Sequence, residues 1–189
     1  MKAVNKAQLL ASLEDRVEQH VQEAVRVFQN LDEEVLLKPA ADGGWSIAQC
    51  LAHLNSYGDY YLPRLRAGFE SQQEAAVAET YKGTWLGNQF IRMMAPETGR
   101  KKYKAAKIHL PKEATQGQAI VREFIRQQEE LLLLLRQAHK ADLDANKIPV
   151  SVLTWLRLKP GDVLQFVVAH NERHMLQAER NLPVPDVAV

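Results

Sequence analysis

The chain has 189 residues, 24 Lys and Arg against 23 Asp and Glu for a formal charge of +1, 46% hydrophobic residues, one Cys and six His. That length favours one domain whose core stands without staples, and a single Cys excludes both a disulfide framework and a zinc site built on CxxC pairs. The longest apolar run, Leu131 to Leu135, is far short of the roughly 20 residues a membrane span needs, and Met1 to Leu13 lack the features of a signal peptide, so no membrane partner and a cytoplasmic location are expected.

Leu10, Leu13, Val17, Val21, Ala24, Phe28 and Leu31 recur every three or four residues, which predicts an amphipathic helix over about 5–31. Pro39 and Gly43-Gly44 break the pattern. Ser46 with Gln49 three residues later reads as a capping box, opening a second helix over about 46–70 whose buried stripe is Ile47, Leu51, Leu54, Gly58, Tyr61 and Leu65. Pro63 inside that span predicts a kink or step. A long connection, about 71–114, follows, in which Thr84 to Met94 form a short helix carrying Trp85, Phe90, Ile91 and Met94. Ile120, Phe124, Gln127, Leu131, Leu135 and Ala138 mark a third long helix, about 115–141. Asp142 to Lys159, with Trp155, Leu156 and Leu158, reads as an irregular stretch with another short helix. The last long helix opens after Lys159-Pro160-Gly161 with Asp162 as N-cap, and runs over about 162–180. No alternating run of Val, Ile or Thr suggests a sheet. The expectation is an all-α fold: one domain over 1–189, a four-helix bundle with a long, partly helical connection between helices 2 and 3.

The near-zero charge conceals an asymmetry. Between Tyr81 and Lys112 stand Lys82, Arg92, Arg100, Lys101, Lys102, Lys104, Lys107 and Lys112 against one acid, Glu97, so the rest of the chain is acidic. The run Arg100-Lys101-Lys102-Tyr103-Lys104 comes without a DNA- or RNA-binding signature, so nucleic acid is not expected as a partner. A solvated loop is the plain reading; attraction of an anionic cosubstrate such as a low-molecular-weight thiol is the functional one.

His170 and His174 are four apart in the last helix and share a face, so both imidazoles can reach one metal ion. Val163, Val167, His170, His174 and Gln177 progress along the core-facing stripe, where a polar ring needs a partner. His53 flanks the apolar stripe of the second helix, on the line of Ser46, Cys50, Tyr57 and Tyr60. One His from one helix and an i, i+4 pair from another can converge inside a bundle, leaving coordination positions open for water or substrate. Each also reads, singly, as a hydrogen-bonded core histidine. A zincin HExxH motif is excluded, because Asn171 stands where Glu is required. A ferritin-like di-iron centre is excluded as well, because no Glu has a His three positions later.

Gly44-Trp45-Ser46-Ile47 leading into Gln49-Cys50-Leu51-Ala52-His53-Leu54, and the late His170-x-x-Arg173-His174-x-x-Gln177, resemble the DinB-like (YfiT-like) superfamily over about 8–181. The resemblance implies four-helix bundles that hold a divalent metal, commonly zinc or nickel, with three histidines. By that likeness His53, His170 and His174 are the ligands, and the activities implied are those of thiol-dependent transferases and isomerases acting on small molecules.

Around this set, Cys50 is one turn before His53 and reads either as a ligand or as a small buried hydrophobe. Tyr57, one turn after His53, is placed to pack, or to orient a substrate and serve as the catalytic base. Asn171 and Gln177 are candidates to support the ligands or touch substrate. Glu172 and Arg173 belong to a solvated face or a subunit contact. His20 can approach the interior, and His109 and His139 receive no role. The expected function is thiol S-transfer or hydrolysis of a small molecule by a divalent-metal enzyme. The rivals are a non-catalytic, stress-associated binding bundle with a structural or absent metal, and a protein–protein module in which an exposed apolar stripe on the first or third helix forms a homodimer.

Overall fold

The computed structural model describes residues 2–72, 78–96, 104–111 and 114–183. Of the basic run, Arg100, Lys101, Lys102, Tyr103 and Lys112, together with Glu97, lie outside the described residues.

The chain is mostly helical. Helix α1 (Lys6–Arg26) starts at Asn5, whose side chain accepts from the Gln8 amide, and buries Leu10, Leu13, Val17, His20 and Ala24. It stops five residues before the periodicity does. The Asn30 amide donates to the carbonyls of Val25 and Arg26 at 2.8 and 3.1 Å, taking acceptors that a further turn would need. The 3-10 turn Phe28–Asn30 keeps Phe28 fully buried, which is why the apolar spacing continues past the helix end. A short helix, α2 (Glu33–Leu37), follows, and its Glu33 carboxylate accepts from the amides of Gly117 and Gln118.

Helix α3 (Ile47–Glu70) opens with the expected capping box: the Ser46 hydroxyl accepts from the Gln49 amide and the Gln49 side chain from the Ser46 amide. It is continuous through Pro63, contrary to the expected step. Pro63 lies on the exposed face, where water can satisfy the carbonyl that loses its helical donor. The pair β1 (Val4–Asn5) and β2 (Thr80–Tyr81) is antiparallel and joins the chain start to the connection. Helix α4 (Trp85–Met94) is the short helix expected there, capped by the Thr84 hydroxyl. Leu86, Phe90, Ile91 and Met94 pack on the core while Trp85 stands in solvent.

Helix α5 (Gly117–Ala138) turns Leu131, Leu134 and Leu135 inward and leaves Leu133 65% exposed, since one face cannot bury five consecutive leucines. The stretch expected to form a short helix before the last long one is instead an antiparallel ribbon, β3 (Ile148–Val150) with β4 (Leu153–Leu158). Ile148 and Leu158 are buried and paired across it. Pro149 cannot donate within a helix, and the β-branched and aromatic residues around it fit a pleated surface. Helix α6 (Pro160–Glu179) begins two residues earlier than expected, with Lys159 as N-cap and Pro160 in the first helical position, a position its fixed φ suits. Asp162 is therefore inside the first turn. Its buried carboxylate accepts from the Tyr81 hydroxyl at 2.7 Å and the Thr84 hydroxyl at 2.6 Å, tying the connection to α6. A Cβ on Gly87 would fall 2.2 Å from the Asp162 side chain, so α4 can lie here only with glycine at that position.

Among the long helices, α1 packs on α5 and α6, and α3 packs on α5 and α6. Two apolar clusters fill the space between them. One gathers Leu10, Val17, Leu65, Leu131, Leu135 and Leu164; the other Phe28, Ile47, Leu51, Val121, Phe124 and Met175. Where one gives way to the other, every long helix contributes buried polar groups: His20 from α1, Asn55 from α3, Gln127 and Gln128 from α5, His170 and Asn171 from α6.

Candidate metal centre

The three histidines lie at this polar level. The capping box fixes the start of α3 and so places His53 two turns in, facing α6. The buried stripe of α6 carries His170 and, one turn on, His174. Ring centroids are 5.1 Å apart for His53 and His170, 4.6 Å for His53 and His174, and 4.8 Å for His170 and His174. One ligating nitrogen from each lies within 4.8 Å of the others. His53 and His170 are 2% and 3% exposed, and His174 is partly exposed.

Hydrogen bonds fix two of the tautomers. His53 Nδ1–H donates to the backbone carbonyl of His109 at 2.7 Å, and His174 Nδ1–H donates to Gln177 Oε1 at 3.0 Å. In both rings Nε2 is left with its lone pair available, the arrangement that supports a metal-bound imidazole. His170 Nδ1 is buried with no hydrogen-bond partner among the described residues. Burial is the leading cause that holds all three rings neutral. It lowers the pKa of His53 against the opposing bond to His109, and takes His170 well below its ordinary value with help from His174. Burial and then His53 bring His174 down to about 3. Neutral imidazole is the ligating form. Three such nitrogens, with no carboxylate or thiolate among them, form a group that could hold a metal ion.

Aromatic rings wall the cluster. Trp45 lies 4.8 Å from His53 and stacks on His174 at 5.8 Å. Its loop turns at Gly43, whose φ of 75° is in the left-handed region glycine tolerates, and the Trp45 carbonyl accepts from Asn181 beyond the end of α6. Phe166 lies parallel to His170 at 5.5 Å, and Tyr57 sits 4.3 Å from His170 and 5.1 Å from His53. Burial pushes the Tyr57 hydroxyl up to about 12.

Cys50 is fully buried in the apolar cluster beside α2, its thiol pushed up to about 12 by burial, and it is not part of the histidine group. Asn171 donates to Gln128 across the core at 2.8 Å. Glu172 pairs with Arg16 of α1, and Arg173 donates to the Met93 carbonyl of α4. His20 is buried outside the cluster, and His139 bonds Glu14 at 2.8 Å. His109, to which the sequence assigned nothing, is buried against the site: its ring stacks on Tyr57 at 3.8 Å and bonds Ser56 and Ser151. It sits in a 3-10 turn, Lys107–His109, with no periodic pattern to mark it, and the group that reaches His53 is a backbone carbonyl common to every residue type.

No curated protein and no solved structure matches the chain. The family profile of the DinB superfamily matches residues 16–178, a span that holds all three histidines and most of the four long helices, and the chain therefore belongs to the DinB superfamily.

Proposed function

We propose that the protein is a divalent-metal-dependent enzyme on a four-helix-bundle scaffold of α1, α3, α5 and α6, acting on a small molecule by thiol S-transfer or hydrolysis. His53, His170 and His174 are its ligands, zinc or nickel its metal, and a low-molecular-weight thiol its cosubstrate in the transferase case. The observation that carries this is the convergence of three neutral imidazoles, two of them held in the tautomer that frees Nε2. When bound, the ion supplies Lewis acidity that lowers the pKa of a thiol or water. Tyr57 keeps its proton near neutral pH, so it serves as a donor that orients the substrate rather than as a base, while Trp45 and Phe166 exclude water from the ligands. The remaining parts of the reading are a cytoplasmic location and a homodimer. No helix among the described residues is long and apolar enough to cross a membrane; exposed Leu133 on α5 and Val25 on α1 favour the dimer, which sedimentation would test.

Elemental analysis of untagged protein tests the site: about one equivalent of metal is expected, absent from His53→Ala and His170→Ala. Metal-free protein of unchanged stability would defeat it. Conjugation of thiols to a panel of electrophiles, and a hydrolase panel, then test the reaction. The burial of His53 and His170 behind aromatic rings supports a second reading, a non-catalytic stress-associated bundle with a structural metal. That reading requires metal-dependent stability with no turnover in either panel.

A further inference from the structure

We propose that His109 is a positioning residue of this centre: its backbone carbonyl fixes the tautomer of His53, and its ring locks that carbonyl in place. The inference rests on the metal-site reading above. The carbonyl can only accept, so the 2.7 Å contact places the proton of His53 on Nδ1. A loop carbonyl holds a ligand ring in this way only if the loop is itself fixed, and here the anchor is the side chain of the same residue. Ser56 donates its hydroxyl to the His53 carbonyl at 2.7 Å. His109 Nδ1–H is then the donor to Ser56 Oγ at 3.0 Å, and His109 Nε2 accepts from the Ser151 hydroxyl at 2.8 Å. Ser151, buried in the turn between β3 and β4, is held in its place by Tyr61. The Tyr61 hydroxyl accepts from the Ser151 amide at 3.1 Å and lies 3.4 Å from Ser151 Oγ.

Both nitrogens of the His109 ring are thus used, and one face lies on Tyr57 at 3.8 Å with an interplanar angle of 27°. The turn is closed from behind by the His109 amide, which donates to Ala106 at 2.9 Å. A run of fixed contacts therefore joins the β3–β4 turn and the connection between α3 and α5 to the ring of His53. A polar side chain that merely fills the core would need its own bonds satisfied; it would not bring its carbonyl to a ligand.

The test uses His109→Phe, which keeps a ring against Tyr57 but loses both serine bonds, and Ser151→Ala, which removes one anchor at a residue outside the histidine cluster. Two quantities are read: zinc affinity by competition with a chromophoric chelator, and the nitrogen-15 shifts of His53 in metal-free protein, which report its tautomer. H109F is expected to bind zinc about 10-fold to 100-fold more weakly and to show a mixed His53 tautomer, S151A to shift both in the same direction by less, and His109→Gln to recover part of the loss. Zinc affinity within twofold of the parent in both H109F and S151A, with His53 still protonated on Nδ1, would overturn the proposal. If H109F does not fold, S151A decides by the same two readouts. If the parent binds no zinc, the metal-site reading fails separately, and the tautomer comparison still decides the role of His109.

Discussion

The polar atoms of buried rings show what this fold gives up for its site. His170 is 3% exposed, and its Nδ1 has no hydrogen-bond partner among the described residues. Such an atom penalises the metal-free fold by about 1–3 kcal/mol. Replacing His170 with Leu, a residue of similar size that fits the stripe, is therefore expected to raise the melting temperature of the metal-free protein by several degrees while abolishing metal retention. A lower melting temperature in metal-free H170L would contradict this. His20 carries a second penalty, visible as pH dependence. Burial first, and then Arg16, lower its pKa to about 4 against an opposing bond to Gln128. As pH falls below about 6.5 the unfolded chain takes up this proton and the folded one does not, so stability drops down to about pH 4 and changes no further on this account. The loss reaches about 3 kcal/mol. Urea unfolding at pH 7 and pH 4.5 would show the parent losing more than His20→Gln between the two; equal losses would refute the assignment.

At the level of elements, the joints between helices are specified by single polar residues. Asp162 holds Tyr81 and Thr84, and so the β2–α4 segment, against the first turn of α6. Truncating it to Ala takes the acceptor from the buried Tyr81 hydroxyl and from the half-buried Thr84 hydroxyl and amide and is expected to destabilise the protein by about 3 kcal/mol, with proteolysis appearing first within residues 78–96. Cleavage elsewhere at unchanged rates there would argue that α4 is held by its apolar face alone. The same distinction explains what could be read from the sequence. The four long helices were readable because 3.6-residue spacing of Leu, Ile, Val and Phe records burial directly, and Ser46 with Gln49 records a local bond. His170 and His174 share that local logic. The early end of α1 depends on Asn30 reaching back to two carbonyls, and the β3–β4 ribbon depends on Ile148 meeting Leu158 across it. Asp162 reads as a cap until Pro160 is seen to begin the helix. The contact of His109 with His53 spans 56 positions through a backbone oxygen, and no residue-type pattern encodes that.

For the whole molecule, the arrangement of two apolar clusters around one polar level has a consequence for how metal acts. The three clustered histidines come from α3 and α6, helices that pack directly on each other. At the same level α6 is joined to α5 by the bond from Asn171 to Gln128, and to α1 by the ion pair of Glu172 with Arg16. An ion that binds the folded chain and not the unfolded one stabilises it by about 2.7 kcal/mol at a hundredfold excess over Kd, which for a chain of this size is about 5–10 °C. The increment belongs to the folded state as a whole, because both clusters are built from the same four helices, and unfolding is expected to remain a single transition with and without metal. Hydrogen exchange should then show two layers: amides near His53 and His170 to His174 slowed most, because local opening there requires release of the ion, and amides of α1 slowed only to the extent that they exchange by global unfolding. Calorimetry with stoichiometric zinc, then with excess chelator, checks the first part, and exchange resolved by residue checks the second. A melting temperature indifferent to both additions would remove the metal from this fold. A shift confined to the α3–α6 pair, with a separate unchanged transition for the rest, would show that the polar level divides the molecule rather than joining it.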